Sequence, residues 1–373
     1  MSGGPTIGVV GAGQLGAMLA LAGYPLGLDF LFVDRSAETP AGRIAPVMTG
    51  DLDDQGLLRR LAELSDVISF DWENADVGAL RAATRATRTR IAPPLRALAA
   101  AQDRLSEKRT FQRLGIPTMR YAPVDSRIQL TRAVARIGLP GVLKTRRFGY
   151  DGKGQYVLRH ADDVETAWQQ LGTAPLLYEQ FVPFDYEVSM IGVRSRDGAI
   201  ALYPLNRNYH VDGILRVTLA PWPAPRIERA AALHLRRVLR AFRYVGVLAI
   251  EFFVRDGRLI ANEMAPRVHN SGHWTIEGAV TSQFENHVRA IAGLPLGATD
   301  ALGAAAMINL IGQMPERSAL LAEPGLHLHD YGKAPRHGRK LGHCTVLEAN
   351  VHRCSARATR LMSRLYPHLS FKP

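Results

Sequence analysis

Strand-like and helix-like segments alternate along the first hundred residues of the chain. Thr6–Val10 predicts a strand, which leads through a glycine-rich turn at residues 11–16 into a helix of small residues. Further strands are predicted at Asp29–Asp34 and at Val67–Phe70. Strands separated by helices indicate a parallel, Rossmann-like sheet, so the chain is predicted to begin with an α/β domain.

The turn at residues 11–16 has glycine at positions 11, 13 and 16, and Asp34 ends the next predicted strand. This spacing satisfies the fingerprint of dinucleotide-binding proteins, in which a phosphate lies at the N-terminus of a helix. The alternative is structural, because the same glycines would also let the helix pack tightly on the strand. An oxidoreductase that binds NAD is therefore one hypothesis for this chain.

A second glycine-rich loop, at residues 146–155, joins strand-like runs at residues 142–144 and 156–158. Its alternating glycines permit a mobile loop whose amides face phosphate oxygens, and Lys144 on the incoming strand can neutralise phosphate charge. A plain hairpin with a flexible tip is the alternative. It does not account for the cations around the loop, which would repel one another without an anion. We expect residues 148–153 to be poorly ordered or shifted when no nucleotide is bound.

Two acidic residues, Glu251 and Glu263, flank a predicted hairpin turn at residues 256–257. Glu251 lies in an otherwise apolar strand, where a buried and unpaired carboxylate is costly. Two carboxylates and the amide of Asn262 suit Mg²⁺, which takes oxygen ligands and retains water and phosphate ligands. Two exposed acids, or one buried acid that pairs with Arg267, are the alternatives.

The two acids can chelate one ion only if they share a face of the hairpin, because strand side chains alternate between faces. A two-residue turn with regular pairing would place Glu251 opposite Asn262 and would turn Glu263 to the other side. We therefore predict a three-residue loop, or a β-bulge elsewhere in the hairpin, that places Glu251 opposite Glu263.

Two basic segments follow these acids. Residues 267–274 read Arg-Val-His-Asn-Ser-Gly-His-Trp, and residues 333–343 read Lys-Ala-Pro-Arg-His-Gly-Arg-Lys-Leu-Gly-His. Both segments suit an acidic or phosphorylated substrate, and the histidine spacing of the first segment matches no zinc pattern. A polar surface loop is the alternative for each segment.

The formal charge of +12 permits nucleic-acid binding, but it also fits an arginine-rich surface and anionic small-molecule substrates. No zinc-finger, RNP or KH motif accompanies the charge, so we favour the second interpretation. The two cysteines form no CxxC pattern, and neither a membrane-spanning apolar run nor a signal-peptide pattern is present. We therefore expect a cytoplasmic protein without nucleic-acid or membrane partners.

The glycine-rich turns, the acidic hairpin and the basic segments, in the order in which they occur along the chain, resemble those of the ATP-grasp superfamily. Within it, they resemble those of the N5-carboxyaminoimidazole ribonucleotide synthetases. The resemblance covers about residues 6–345, and its most specific part is the run Pro-Arg-Val-His-Asn-Ser-Gly-His at residues 266–273. It is also carried by residues 13–16, 73–74, 101–104, 149–155, 179–180, 210–216, 262–265 and 338–343.

The resemblance implies an ATP-grasp fold that combines α/β and α+β parts. A Rossmann-like (pre-ATP-grasp) domain at residues 1–100 would precede a linker helix and a small central lid at residues 101–177. An α+β domain with a terminal hairpin region would occupy residues 178–373. ATP would lie between the last two parts, and the family is usually a homodimer.

The resemblance also implies a reaction of purine biosynthesis with Mg²⁺ as cofactor. The small-molecule substrates would be ATP, bicarbonate and 5-aminoimidazole ribonucleotide. The products would be ADP, phosphate and N5-carboxyaminoimidazole ribonucleotide. A bicarbonate oxygen would attack the γ-phosphate to give carboxyphosphate, and this intermediate, or CO₂ released from it, would react with the amine.

By motif match, the resemblance implies overlapping sets of site residues. The ATP site would comprise Arg104, Lys144, Gly149, Tyr150, Asp151, Gly152, Lys153, Gly154, Gln155, Glu179, Gln180, Phe181, Val182, Glu187, His210, Asn262 and Glu263. The ribonucleotide and the carboxylating intermediate would contact Gln14, Leu15, Glu73, Tyr150, Asp151, Arg267, His269, His273, Lys333, Arg339 and Lys340. The catalytic residues would be Asp151, Lys153, Arg267 and His273, and the metal ligands Glu251 and Glu263.

Two positions depart from the family pattern: Phe148 stands where a glycine is expected, and Asp71 where glutamate is frequent. The nearest alternative is a sister ATP-grasp enzyme, the formate-dependent glycinamide ribonucleotide formyltransferase, which activates formate. The NAD-dependent oxidoreductase and the nucleic-acid-binding protein are alternatives from other classes.

Overall fold

A computed structural model describes residues 4–85, 87–149, 153–369 and 371 of the 373-residue chain. Its first sheet has five strands: β1 (Thr6–Val10), β2 (Asp29–Asp34), β3 (Val47–Thr49), β4 (Val67–Phe70) and β5 (Arg90–Ile91). All of its strand pairs are parallel, and the strand order is β3-β2-β1-β4-β5. The predicted parallel, Rossmann-like sheet is therefore confirmed.

Helices cover this sheet, because the strands are apolar and buried on both faces. They are α1 (Gln14–Gly23), α2 (Gln55–Glu63) and α3 (Val77–Ala83). The side chains of Asp54 and Asp76 accept backbone N–H groups at the starts of α2 and α3, which fixes where these helices begin. Two further helices, α4 (Leu95–Ala101) and α5 (Arg104–Arg113), connect this part to the next.

The second sheet is small and antiparallel, with the strand order β6-β9-β7-β8. The elements of this part are β6 (Tyr121–Val124), α6 (Arg127–Ile137), β7 (Gly141–Thr145), β8 (Gln155–Leu158), α7 (Asp163–Leu171) and β9 (Leu176–Gln180). Helices α6 and α7 bury Leu130, Ala133 and Ala167 against it, so this part of the chain has its own core.

The third sheet is the largest and contains nine strands. They are β10 (Tyr186–Arg194), β11 (Ile200–Leu202), β12 (Asn206–Val211), β13 (Ile214–Ala220), β14 (Gly246–Arg255), β15 (Arg258–Ala265), β16 (Ala304–Ile311), β17 (Leu326–Asp330) and β18 (Lys340–Glu348). The order is β15-β14-β10-β12-β13-β16-β18-β17, with β11 paired to β10, so β15 lies at an edge. The C-terminal strands therefore continue the same sheet.

Five helices accompany the third sheet in the described part of the chain: α8 (Pro225–Ala241), α9 (Thr275–Gly278), α10 (Gln283–Ala292), α11 (Arg317–Leu321) and α12 (Val351–Leu365). Helix α12 packs on the C-terminal strands through Cys354, Ala358 and Leu361. The described residues contain no helix with the length and apolarity that a bilayer span requires.

A buried histidine joins the first and third sheets. His287 on α10 accepts the N–H of Val247 at 3.1 Å through Nδ1, and its Nε2 lies 3.3 Å from the hydroxyl of Ser69. Burial lowers the pKa of His287 to about 3, so the ring is neutral and can accept from the amide. This contact fixes the carboxyl end of β4 near the third sheet.

Candidate active site

The glycine turn at residues 11–16 is filled by side chains of the chain itself. One carboxylate oxygen of Asp71 accepts the N–H groups of Gly13 and Gly16, at 2.7 and 3.1 Å. A carboxylate oxygen of Asp34 accepts the N–H of Ala12 at 2.7 Å. These amides are the donors that would otherwise face a phosphate at the start of α1.

The glycines of the turn are explained by this internal carboxylate. Gly11 has a φ of 95°, which favours glycine, and a Cβ at this position would collide with the carboxylate of Asp71. Burial raises the pKa of Asp71 to about 6, against the lowering effect of the two amide hydrogen bonds. Close approach between the turn and Asp71, rather than a dinucleotide, accounts for the fingerprint in the sequence.

The hairpin β14–β15 brings the two predicted metal ligands together. Its turn has two residues, since Arg255 pairs with Arg258, and Asp256 and Gly257 have φ values of 50° and 67°. The three-residue loop was therefore the wrong alternative. A bulge shifts the register further along, so that Glu251 lies opposite Glu263, as the second alternative predicted. The extra residue on β15 is Asn262.

The facing carboxylates interact with histidines on one side and with cations on the other. His269 Nε2 lies 3.2 Å from the carboxylate of Glu251, and Arg104 Nη1 lies 3.2 Å from that of Glu263. Burial raises the pKa of Glu251. The charge of His210 acts to lower this pKa, and the negative charge of Glu263 acts to raise it. Burial also acts to raise the pKa of Glu263, but the charges led by Arg104 outweigh it and lower the value.

A second acid–histidine pair lies beside the hairpin. The Nδ1 of His210 is 2.8 Å from the carboxylate of Glu187. Burial acts to lower the pKa of His210, but the hydrogen bond to Glu187 and the charge of Glu251 raise it to about 9. The protonated ring therefore supplies a positive charge at this wall of the site near neutral pH.

Three charged residues form a buried network between α5 and the small sheet. Glu179 on β9 receives Lys144 of β7 at 2.6 Å on one oxygen and Lys108 of α5 at 3.3 Å on the other. Burial acts to raise the pKa of Glu179, but the two lysines lower it to about 2. Burial lowers the pKa of Lys144, and the charge of Glu179 opposes that shift.

The start of the second glycine-rich loop is anchored to the beginning of α5. Arg146 makes an ion pair with Asp103 at 2.6 Å, and Arg147 donates to the side-chain oxygen of Gln102 at 2.9 Å. The argument that the cations of this loop would repel one another without a bound anion therefore does not apply to Arg146, because Asp103 neutralises it. Tyr150, Asp151 and Gly152 lie outside the described residues, as does the central part of the segment expected to be mobile, residues 148–153.

These groups surround a cavity of about 480 Å³, which we call the main cavity. It lies between the small sheet, α5 and the third sheet. Its polar lining from the predicted sites comprises Glu73, Arg104, Lys144, Gln155, Glu187, His210, Glu251, Asn262, Glu263, Arg267, His269 and Lys340. Gly149 and Phe148 of the loop and the stacked rings of Phe184 and Phe253, 4.7 Å apart, complete one wall.

Several predicted site residues lie away from the main cavity. The side chain of Glu179 is buried in the lysine network, and Gln180 and Phe181 line a separate cavity of about 320 Å³, while Val182 is buried. His273 is buried behind His269, where its ring contacts Phe284 and His343.

The first domain reaches the site through two contacts. Arg267 makes an ion pair with Glu73 at 2.9 Å, and Lys333 donates a hydrogen bond to the side chain of Gln14. Leu15 is buried below this contact, and Arg339 donates to the carbonyl of Ala334 at 3.2 Å. The segments at residues 14–15, 73, 267 and 333 thus meet in space although they are distant in sequence.

Sequence reasoning missed six polar residues that line the main cavity. They are Asn74, Gln102, Glu107, Arg146, Arg147 and Asn270, of which Asn74, Gln102 and Asn270 belong to motifs that carried the family resemblance. It also assigned no role to Glu107 and Lys108, although Lys108 is one of only six lysines in the chain. Their helical spacing from Arg104 was the available signal, because residues three and four apart share a helix face.

The hairpin fits Mg²⁺ by the chemistry of its side chains. The buried Oδ1 of Asn262 has no hydrogen-bond partner in the described structure, and Asn262 directly precedes Glu263, which lies opposite Glu251 in the hairpin. Such an oxygen set suits a hard cation, and the remaining positions would be taken by water and phosphate. The described residues hold no cluster of three or more His, Cys, Asp or Glu side chains that would bind a metal alone.

The parts of the chain that frame the main cavity match a known class. Residues 109–284 match the ATP-grasp domain, residues 5–102 the ribonucleotide synthetase preATP-grasp domain, and residues 305–357 the phosphoribosylaminoimidazole carboxylase C-terminal domain. The protein is therefore an ATP-grasp enzyme, as its motifs predicted.

Comparison with similar proteins identifies the family within the ATP-grasp enzymes. The chain is 50% identical over 353 residues to the N5-carboxyaminoimidazole ribonucleotide synthase of Pseudomonas aeruginosa, covering 95% of this chain and 96% of that protein. The structure of the N5-carboxyaminoimidazole ribonucleotide synthetase of Thermus thermophilus superposes with a TM-score of 0.92 at 48% identity, covering 98% of this chain and all of that one. The chain belongs to the family of N5-carboxyaminoimidazole ribonucleotide synthases.

A further relative has been solved with ligands. The N5-carboxyaminoimidazole synthase of Aspergillus clavatus, in complex with ADP and 5-aminoimidazole ribonucleotide, has a TM-score of 0.90 at 29% identity. The match covers 98% of this chain and 99% of that one.

Proposed function

We propose that this enzyme uses ATP and bicarbonate to carboxylate 5-aminoimidazole ribonucleotide in purine biosynthesis. The products are N5-carboxyaminoimidazole ribonucleotide, ADP and phosphate. The observation that carries the proposal is the pair of facing carboxylates, Glu251 and Glu263, in a main cavity that is also lined by Arg267, His269 and Lys340. A phosphate-transfer site and a site for a second anionic substrate thereby share one cavity.

The proposed reaction has two steps. A bicarbonate oxygen attacks the γ-phosphorus of ATP, the bond to the β-phosphate oxygen breaks, and ADP leaves. The amine of the ribonucleotide then forms a bond to the carboxyl carbon, while phosphate leaves and the amine loses a proton. The carboxyl carbon reaches the amine in carboxyphosphate or in CO₂ released from it.

The protein acts in the first step mainly by position and charge, because phosphoryl transfer needs little covalent help. We assign Arg104 and Lys144 to the phosphates of ATP, since both line the main cavity and carry positive charge. Glu187 and His210 form a pair on the same wall and are assigned to the ribose side. The remaining proposed ATP contacts are Gly149–Gln155, Glu179–Val182, Asn262 and Glu263.

Glu251 and Glu263 are the proposed ligands of Mg²⁺, with Asn262 beside them. When bound there, the ion would neutralise phosphate charge during transfer. The protein contributes the bulge that turns both carboxylates to one face, and Arg104 balances the charge of Glu263. The shared negative charge of the two carboxylates explains why a cation is favoured at this place.

The segment that begins at Arg267 is the proposed meeting place of the two substrates. Arg267 and His269 line the main cavity, and Arg267 is held by Glu73 from the first domain. We assign the ribonucleotide and the carboxyl group to these residues together with Gln14, Leu15, Tyr150, Asp151, Lys153, His273, Lys333, Arg339 and Lys340. Carboxyphosphate is short-lived in water, so the loop at residues 146–155 is proposed to close over it.

We also propose a homodimer that works in the cytoplasm, with domain boundaries near residues 100 and 177. The first boundary is supported by the gap between β5, which ends at residue 91, and β6, which begins at residue 121. Residue 177 lies within β9 of the small sheet, so the sheets favour a second boundary a few residues later, between residues 180 and 186. Sedimentation of the purified enzyme at several concentrations would test the dimer, and a monomer at all concentrations would contradict it.

The decisive experiment measures ADP release with each substrate present or omitted. We expect ADP release to require 5-aminoimidazole ribonucleotide and bicarbonate together, and the carboxylated product to form in equal amount. Formate with glycinamide ribonucleotide serves as the matched alternative pair. ADP release that depends on that pair, or that is unaffected by omitting bicarbonate, would overturn the proposal.

A further inference from the structure

The outer side of edge strand β15 is covered beside the proposed metal ligand. An edge strand presents unpaired N–H and C=O groups, which need partners when they are buried. The N–H of Ala261 donates to the carbonyl of Pro117 at 2.7 Å, and the N–H of Met264 donates to the carboxylate of Glu107 at 2.6 Å. The carbonyl of Asn262 accepts a hydrogen bond from the ammonium group of Lys108.

These contacts place Glu263 between two side chains of one helix. Glu107 and Lys108 are consecutive residues of α5, and they bind the backbone of residues 264 and 262, on either side of Glu263. Arg104 precedes them by three and four positions, lies on the same helix face, and contacts the carboxylate of Glu263 itself. Helix α5 therefore holds Glu263 by its side chain and by both neighbouring residues.

Glutamate and lysine would be unfavourable at positions 107 and 108 if these side chains only packed helix α5 against β15. Glu107 and Lys108 are 2% and 1% exposed, and buried polar or charged groups lose hydration that an apolar side chain would not lose. An apolar helix face would cover the hydrophobic neighbours of β15 equally well, but it could not bind an amide and a carbonyl of the strand. The observed residues supply one acceptor and one donor where the strand needs them.

The contacts of α5 with the backbone of β15 also determine whether the β-bulge at Asn262 forms. With the two-residue turn of this hairpin, regular pairing would place Glu251 opposite Asn262 and would turn Glu263 to the other face. A one-residue shift of register moves every side chain of a strand to the opposite face. The two backbone contacts of α5 fit only the bulged strand, so they select the register in which the carboxylates face each other.

Lys108 has a second contact, which reaches the small sheet. Its ammonium group lies 3.3 Å from the carboxylate of Glu179 on β9, and Lys144 binds the other oxygen of the same carboxylate. One buried ammonium group therefore touches both the bulge beside Glu263 and the strand that faces it across the cleft.

We propose that Glu107 and Lys108 are positioning residues that lock the bulge of β15, so that Glu263 and Glu251 face one divalent cation. Through Glu179, Lys108 also fixes the small sheet relative to this site. The inference rests on the proposed function in that the cation is the Mg²⁺ that accompanies the nucleotide. Neither residue touches the reacting atoms in this assignment, and both act through Glu263.

The test measures cation binding without turnover. Free Mn²⁺ is titrated by electron paramagnetic resonance against the full-length enzyme with ADP, in the absence of bicarbonate and ribonucleotide. Lys108→Met and Glu107→Met should weaken Mn²⁺ binding by about 10- to 100-fold, the range typical of residues that orient metal ligands. ADP affinity without the metal should change much less.

Two controls separate positioning from general stability. Glu107→Gln keeps an oxygen that accepts the N–H of Met264 and should bind Mn²⁺ nearly as the wild type does. Arg357→Met removes another buried cation, which pairs with Glu323 and Glu348 at 3.2 and 3.1 Å in the C-terminal part. It should lower the melting temperature and leave Mn²⁺ affinity unchanged.

The outcomes distinguish failure of this inference from failure of the proposed function. If the wild type binds no Mn²⁺ with ADP, the assigned metal site itself is wrong. If the wild type binds Mn²⁺ and both Met variants bind it equally well, the positioning role is overturned. If Lys108→Met does not fold, Glu107→Met decides, and a Glu107→Gln enzyme as weak as Glu107→Met would refute the acceptor role of Glu107.

Discussion

The glycine turn at residues 11–16 and the main cavity both offer donors for an anion, but they use them differently. In the turn, the amide groups at the start of α1 are bonded by the carboxylates of Asp34 and Asp71. In the main cavity, Arg104 and Lys144 line open space of about 480 Å³ together with the facing acids of the hairpin. The donors of the turn are bonded within the chain, whereas the cations of the cavity pair with Glu263 and Glu179 and also border open space.

The difference shows that a glycine-rich turn after a strand does not by itself predict a phosphate site. Glycine at position 11 allows the close approach of Asp71, which has the same steric requirement as the approach of a pyrophosphate. A carboxylate from the neighbouring strand end can therefore replace the ligand. What distinguishes the two regions is that the amides of the turn contact carboxylates of the chain, whereas Arg104 and Lys144, although paired with Glu263 and Glu179, also line an open cavity.

The largest expected effect concerns the buried network that supports the main cavity. Glu179→Gln leaves Lys108 and Lys144 in a buried position without a full counter-charge. We expect the free energy of unfolding to fall by about 3–5 kcal/mol at pH 7, measured by urea denaturation. Glu165→Gln, which breaks the exposed pair with Arg127, is the control and should cost less than about 1 kcal/mol. Equal losses in both variants would remove the special role of the network.

The same network predicts a dependence on pH. The pKa of Glu179 is lowered from its usual 4.5 to about 2 in the folded protein, because the two lysines outweigh burial. A carboxylate with a lowered pKa stabilises the fold above its unfolded pKa, and the stabilisation is lost as pH falls through the folded value. The difference in unfolding free energy between wild type and Glu179→Gln should shrink from pH 4.5 towards pH 2. A difference that is constant over this window would contradict the ion pairs.

The next effect concerns turnover in the main cavity. Glu263→Gln keeps the size of the side chain but removes the charge of a proposed Mg²⁺ ligand. We expect ADP release to fall by about 100-fold or more, and nucleotide affinity to fall less, because the cation matters most as charge develops during transfer. The exposed Glu63→Gln is the matched control. Near-normal turnover of the Glu263→Gln enzyme would exclude this carboxylate from the metal site.

A smaller effect is expected at the phosphate side. Lys144→Ala removes one cation from the cavity wall, while Lys108 still pairs with Glu179, so the fold should survive. The loss of one charge-assisted contact corresponds to about 1.5–3 kcal/mol of ATP binding, roughly a 10- to 100-fold weaker affinity. Equilibrium binding of ATP and a thermal melt of the same sample would measure both quantities. Ordinary ATP affinity would remove Lys144 from the site.

The smallest effects are expected at the glycine turn. Asp71→Ala leaves the amides of Gly13 and Gly16 without an acceptor and should cost about 1–3 kcal/mol of stability, whereas Asp71→Asn keeps an oxygen for them. We expect Asp71→Asn to retain nucleotide affinity in the main cavity. Titration of the wild type with NAD should give no binding signal. Saturable NAD binding would break the comparison, because it would require a vacant turn.

The alternation of strands and helices, the turn signals and the motif order determined much of this protein. The local patterns predicted the parallel first sheet and the segments with residues 144, 251, 263 and 267, whereas the family resemblance predicted the ATP-grasp class and Arg104. Such features are local: hydrophobic periodicity, glycine spacing and residue type act within a few positions along the chain, so they can be identified without knowing which strands are neighbours.

Only the tertiary structure decided which of these groups are paired with one another. The sequence could not show that Asp71 fills the glycine turn, that Asp103 neutralises Arg146, or that Glu179 lies between two lysines. It left two ways of bringing Glu251 to face Glu263, and the structure selected the bulge at Asn262. These outcomes depend on contacts between residues far apart in the chain, where burial and packing, rather than local pattern, fix which charges meet.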